Sequence, residues 1–103
     1  MNMEEFELVC VQMITNSGSA KSSYIEAIQK AKAGAYDEAE KLMSEGDEFY
    51  AKAHDVHSTM LTKEASGEKL EFSLILMHAE DQMASTEMAK VMAREIIELY
   101  QKK

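Results

Sequence analysis

The pattern of apolar positions predicts a first helix in two parts. From residue 4 to about residue 15, Phe6, Val9, Cys10 and Met13 recur at helical spacing. Residues 16–19, Asn-Ser-Gly-Ser, are typical of a turn, after which helical spacing resumes from about residue 20 to residue 33. Gly34 is well suited to end the helix. We predict a helix that is kinked at residues 16–19, and a full break there is the alternative.

Two further helices are predicted in the rest of the chain. Asp37, followed by Glu40 three residues later, resembles a capping box that begins a helix running to about residue 65. Gly46 lies inside this segment and costs roughly 1 kcal/mol relative to alanine. Residues 66–67, Ser-Gly, make a short connection, and a third helix runs from about residue 69 to residue 101. The predicted fold class is all-α: an antiparallel three-helix bundle formed by one domain, residues 1–103.

The third helix has two apolar rows where a small bundle needs one. A 3.5-residue count gives a first row and a second row along this helix. The first row consists of Leu70, Leu74, Met77, Asp81, Ala84, Met88 and Val91, and the second row of Phe72, Leu76, Ala79, Met83, Thr86, Ala93, Ile97 and Tyr100. A lone chain of 103 residues cannot easily bury both rows. The pattern therefore predicts that this helix packs against copies of itself in a homo-oligomer.

The composition supports a helical protein and limits the classes of partner that it is expected to bind. There is no proline, only 4 glycines and 46% hydrophobic residues. The net charge of −8 disfavours binding to nucleic acid and to anionic membranes, and suits a basic protein partner better. The one cysteine, Cys10, cannot form an internal disulfide. Because no signal peptide or membrane-spanning segment is recognisable, we expect a cytoplasmic protein without direct membrane insertion.

Asp81 is a carboxylate within the first apolar row. A buried, unpaired carboxylate is costly, so this side chain must be paired, protonated or bound to a cation. If the helix packs against its own copies, several Asp81 side chains meet on the symmetry axis. The simplest hypothesis is that they share one metal ion there.

His78 lies one residue around the helix from the first row, at the edge of the apolar stripe. An accessible, unprotonated imidazole nitrogen is able to accept a phosphoryl group and to release it again. A single histidine on a helix is more often a structural, hydrogen-bonded one. The residue pattern alone leaves both interpretations open.

Other candidate sites are weaker. His54 and His57 are spaced to chelate a transition metal, but two ligands without a third favour packing or surface hydrogen bonding. A metal-storing helical bundle is disfavoured because the chain has no Glu-x-x-His pair. Methionines of the third helix fall at core spacings, which favours core filling over a binding groove; they are Met77, Met83, Met88 and Met92.

Residues 76–83, Leu-Met-His-Ala-Glu-Asp-Gln-Met, resemble the histidine motif H-A-Q-D-H-L-M of the lactose/cellobiose-type IIA components of the bacterial sugar phosphotransferase system. Residues 17–22, residues 31–42 and the chain length fit the same family. The resemblance implies homotrimers that form a nine-helix bundle. It also implies that His78 takes a phosphoryl group from phospho-HPr and passes it to a cysteine of the IIB component, during uptake of a β-linked disaccharide such as lactose, cellobiose or chitobiose.

The same resemblance implies that three Asp81 side chains meet around a divalent metal ion, and a site made only of carboxylates suits Mg²⁺. The chain departs from the family motif at two positions. Gln82 replaces the second histidine; it can donate a hydrogen bond to a phosphoryl oxygen but carries no positive charge. Glu80 replaces a glutamine and adds a negative charge. A helical adaptor or regulatory relative that has lost phosphoryl transfer is therefore the alternative to a carrier.

Overall fold

The computed structural model describes residues 1–70 and 72–103, so that Glu71 lies outside the description. Three helices run in the order α1 (Met3–Lys32), α2 (Tyr36–Ala65) and α3 (Leu74–Gln101). They form an up-down-up bundle with extents of 52 × 20 × 20 Å. The predicted all-α three-helix architecture is confirmed.

Residues 16–19 are helical, so α1 continues through them. Asn16 Nδ2 donates to the Gln12 carbonyl (3.0 Å), and Ser17 is fully buried against α3, where its carbonyl accepts from Thr86 Oγ1 (3.0 Å). These contacts show why turn-forming residues stay in a helix here: tertiary packing outweighs their local preference. A full break is excluded, and the kink itself stays a prediction.

Two predicted helix starts were wrong. Asp37 is not the N-cap of α2, because the helix begins at Tyr36 after Ala35, which makes no side-chain cap hydrogen bond. Asp37 instead contributes a negative charge to the first turn, where the helix dipole favours it. The third helix begins at Leu74 and not near residue 69, because extended Ser73 caps it by accepting from the Leu76 amide (3.3 Å).

The end of α1 agrees with the prediction, since Gly34 has a φ of 81° just beyond the helix. Gly67 adopts a φ of 103° in the connection between α2 and α3. Both turns need the left-handed conformation that glycine adopts without strain. They bring Tyr36, at the start of α2, to the end of α3, where its hydroxyl donates to the Tyr100 carbonyl (3.0 Å).

Helix α1 packs along both other helices, whereas α2 and α3 contact each other little. One core cluster is rich in alanine, which allows the helices to approach closely, and contains Ala20, Tyr24, Ala27, Ala31, Ala39, Met43, Ala93 and Ile97. The other lies towards the opposite end and contains Phe6, Cys10, Met13, Ala53, Met60, Ala79 and Met83. Cys10 is a free, buried thiol whose pKa is raised by burial first and then by the charges of Glu80 and Glu7.

Gly46 has a packing role inside α2. A Cβ atom added there would lie 2.5 Å from Cε1 of Tyr24, a fully buried ring whose hydroxyl donates to Asp47 (2.7 Å). The glycine therefore accommodates the tyrosine, and its low helix propensity is offset by close packing of α1 on α2.

We expect Gly46→Ala to destabilise the chain by about 1–2 kcal/mol, because overpacking outweighs the gain in helix propensity. The matched control is Gly18→Ala in α1, where an added Cβ meets nothing within 4 Å and a gain of up to about 1 kcal/mol is expected. Urea unfolding at one fixed chain concentration measures both. Equal effects of the two substitutions would contradict the packing role of Gly46.

Candidate functional site

The second row of α3 faces the interior of the chain. Its buried members in the helix are Ala79, Met83, Thr86, Ala93 and Ile97. Phe72, which the 3.5-residue count assigned to this row, precedes the helix and is 88% exposed. Most of the second row is therefore used to hold α3 on the other helices.

The first row of α3 faces outward from the single chain. Asp81 and Ala84 are exposed, and the large apolar members are half or more exposed: Leu74 82%, Met77 58%, Met88 60% and Val91 52%. Core filling is confirmed for Met83, whereas Met77, Met88 and Met92 are exposed in the single chain, and for them core filling between copies stays a prediction. An apolar strip that surrounds one carboxylate is left uncovered.

His78 is exposed in the second turn of α3, next to this strip. Within residues 1–70 and 72–103 its ring makes no hydrogen bond or ion pair. The structural alternative for His78, a hydrogen-bonded imidazole, is not what the side chain shows. The imidazole is chemically available.

The other two histidines have different surroundings. His57 Nε2 lies 2.8 Å from Oε1 of Glu80, and the His54 ring centroid lies 6.4 Å from that of Tyr50. No group of three or more histidine, cysteine, aspartate or glutamate side chains suited to a metal ion exists in the described part of the chain. These contacts agree with the interpretation of His54 and His57 as packing or hydrogen-bonding residues.

Glu80 is held on the side of α3 that faces α2. Two residues along a helix correspond to roughly 200° of rotation, so Glu80 and His78 point away from each other. The contact with His57 fixes this direction. The negative charge that departs from the family motif is therefore kept away from the His78 ring.

Gln82 lies one turn after His78, on the same side of α3. Its Oε1 accepts a hydrogen bond from Nζ of Lys21 on α1 (3.3 Å), in partly buried surroundings. The sequence analysis missed this contact because 61 positions separate the two residues. A positive charge thus stands beside the position where the family motif has its second histidine.

One face of α3 carries His78, Asp81 and Gln82 in this order, in a chain of three long helices. These features are the ones to compare with proteins of known family. The model of the family described as "PTS system, Lactose/Cellobiose specific IIA subunit" matches residues 8–101. This chain belongs to that IIA family. The resemblance inferred from the histidine motif is confirmed.

Individual relatives of this IIA chain agree. The lactose-specific EIIA component of Streptococcus mutans is 37% identical over 102 residues, covering 99% of this chain and 98% of the relative. The crystal structure of the cellobiose-specific enzyme IIA from Bacillus anthracis superposes with a TM-score of 0.93 and 38% identity, over 99% of this chain and 92% of that one.

A third relative is the chitobiose IIA of Escherichia coli, solved in solution as a complex with HPr. It aligns with a TM-score of 0.76 and 31% identity, over 94% of each chain.

In this IIA chain, none of the helices of residues 1–70 and 72–103 has the length and hydrophobicity needed to cross a bilayer.

Proposed function

We propose that this chain is a phosphoryl carrier of a sugar phosphotransferase system, with His78 as the residue that carries the phosphoryl group. The observation that supports this most directly is the exposed imidazole of His78, which makes no hydrogen bond among the described residues and stands at the first position of the IIA motif. The other two histidines are next to Glu80 and Tyr50. Only His78 combines availability with the motif.

The proposed donor is phospho-HPr and the proposed acceptor is a cysteine of a IIB component. The chitobiose relative binds HPr, which supports the donor. A neutral ring nitrogen of His78 attacks phosphorus while the bond to the donor breaks, and the new P–N bond then breaks when the IIB thiolate attacks. Catalysis depends mainly on positioning the two proteins, and the net charge of −8 favours a basic face on HPr.

The sugar is proposed to be a β-linked disaccharide or related oligosaccharide. The relatives compared above are named for lactose, cellobiose and N,N'-diacetylchitobiose. A carrier that hands phosphate to another protein has no need to contact the sugar. The class of sugar therefore follows from the relatives and not from a pocket in this chain.

The direct test is incubation with phosphoenolpyruvate, enzyme I and HPr, followed by intact-protein mass spectrometry. A carrier gains one phosphate that is labile in acid and stable in base. If HPr is phosphorylated and this chain gains nothing, the carrier proposal fails and the adaptor or regulatory alternative takes its place.

The first row of α3 supports a homotrimer in which three copies of α3 pack together. The strip contains four large apolar side chains that are at least half exposed, which is unusual for one face of a monomer. Packing three copies along this row removes that surface from water. Together with α1 and α2 of each chain, it makes the nine-helix bundle that the family resemblance implies.

Asp81 is the proposed ligand of one divalent metal ion on the axis of the trimer. The donor set fits such an ion in one respect: a carboxylate is a hard oxygen ligand, as Mg²⁺ prefers. One chain supplies a single carboxylate at this position, and the described residues of one chain form no metal cluster. The ion would balance three like charges and would take no part in the phosphoryl transfer.

We expect Asp81→Leu to abolish metal binding and to leave the trimer intact or tighter, because it removes buried like charges. Asp55→Leu, an exposed aspartate on α2, is the control and should keep the metal. Elemental analysis together with multi-angle light scattering measures both properties. Unchanged metal stoichiometry in Asp81→Leu would exclude Asp81 as the ligand.

A further inference from the structure

Lys21 is a partly buried cation that forms no ion pair with a carboxylate of the described residues. Three side-chain cations of the described residues have acidic partners: Lys30 with Glu38, Lys90 with Asp47 and Arg94 with Glu40. Lys21 instead donates to the neutral amide of Gln82. A partly desolvated ammonium is stabilised by a negative charge, which the amide of Gln82 does not supply.

Lys21 contacts α3 one helical turn from His78. Side chains of an α-helix lean towards its N-terminus, so Gln82 leans over the turn that carries His78. The Lys21 ammonium, 3.3 Å from the Gln82 amide oxygen, thus meets α3 at the residue one helical turn after His78. An ammonium has three donors, and Gln82 takes one of them.

We propose that Lys21 is a further residue of the transfer site: its ammonium, held in place by Gln82, binds the phosphoryl oxygens of phosphorylated His78. This inference rests on the proposed carrier function and extends it to α1. Lys21 would supply the positive charge that Gln82 lacks. Glu80 does not compete for that ammonium, because it is engaged by His57.

The chemistry of the group explains why a cation is needed. A phosphoryl group on the ring carries about two negative charges near neutral pH, and a charge-assisted hydrogen bond is about twice as strong as a neutral one. Among the described residues of the unphosphorylated chain, the ammonium donates to the Gln82 amide and not to the His78 ring, so this contact does not hinder the neutral imidazole as nucleophile. The cation thus favours the product of the first transfer.

The test compares wild type with Lys21→Gln and Lys21→Met, which remove the charge and keep part of the side chain. The matched control is Lys32→Gln, which removes one charge from the exposed end of the same helix, roughly 16 Å further along. The equilibrium constant for transfer from phospho-HPr is expected to fall about tenfold in both Lys21 variants and to be unchanged in the control. Lys21→Arg should restore most of the loss.

A second readout separates a charge effect from a structural one. Titration of the phosphorylated chain by ³¹P NMR should show a phosphoryl pKa that is higher in Lys21→Gln than in wild type, because a nearby cation favours the dianion. A substitution that only destabilises the fold would lower the unfolding midpoint but would not change this pKa. If wild type is phosphorylated and neither Lys21 variant changes the equilibrium constant or the phosphoryl pKa, Lys21 has no such role. If wild type takes up no phosphate, the carrier function and the role of Lys21 both fail.

Discussion

Replacement of His78 by alanine is expected to abolish phosphate uptake from phospho-HPr completely. The reason is chemical: the P–N bond has no other nitrogen to form on at this site, since Gln82 is an amide and the Lys21 ammonium is a protonated donor. Because the His78 side chain is exposed and packs in neither core cluster, its removal should leave folding intact. Intact mass and the unfolding midpoint measure the two properties on the same sample.

The chain provides its own controls, as it has only 3 histidines. His54→Ala should be phosphorylated as wild type is. His57→Ala should also be phosphorylated, although it frees Glu80 from its contact at 2.8 Å, and a moderate decrease in the transfer equilibrium is expected if Glu80 then turns towards solvent near the site. A His78→Ala chain that still gains an acid-labile phosphate would contradict the assignment of the carrier residue.

Helical periodicity and glycine chemistry were enough to predict the three helices, since both depend on local sequence. The spacing of apolar residues predicted the extent of α2 and of most of α3, and Gly34 predicted the end of α1. At residues 16–19 the sequence left a kink and a full break open, because a distant contact decides the local structure there. Ser17 stays helical because α3 packs on it, and no property of residues 16–19 alone contains that information.

The site was predictable to the extent that it lies on one helix. The positions of His78, Asp81 and Gln82 on α3 follow from a 3.6-residue period, and so does the division of α3 into two rows. The two contacts that modify the site join different helices: Lys21 with Gln82, and His57 with Glu80. These depend on the register between helices, which a single sequence does not reveal.

The same register places a neighbouring side chain beside each departure from the family motif. Loss of the second histidine removes a possible cation, and Lys21 stands beside the substituted position. Gain of a carboxylate at position 80 adds an unfavourable charge, and His57 holds it on the opposite side of α3. The two substitutions are thus matched by neighbours on α1 and α2, which supports a carrier more than a relative that has lost transfer.

Introduction of a charge at Met88 is expected to dissociate the proposed trimer into monomers. Met88 is 60% exposed in the single chain and lies on the first row, two turns beyond Asp81. In a trimer, Met88→Glu would bring three carboxylates together in an apolar contact without a metal ion to balance them, and burial of unpaired charges is strongly unfavourable. Multi-angle light scattering measures the mass, and circular dichroism checks that the helices remain.

Leu8→Glu is the matched control, because Leu8 is an equally large apolar residue with 58% exposure but lies on α1. Assembly through the first row predicts that Leu8→Glu stays trimeric while Met88→Glu does not. If both variants keep the mass of wild type, the strip on α3 is not the contact between copies, and the shared Asp81 metal site loses its basis with it. If both dissociate, α1 belongs to the interface as well, and Lys21 on that helix would lie near the neighbouring chain.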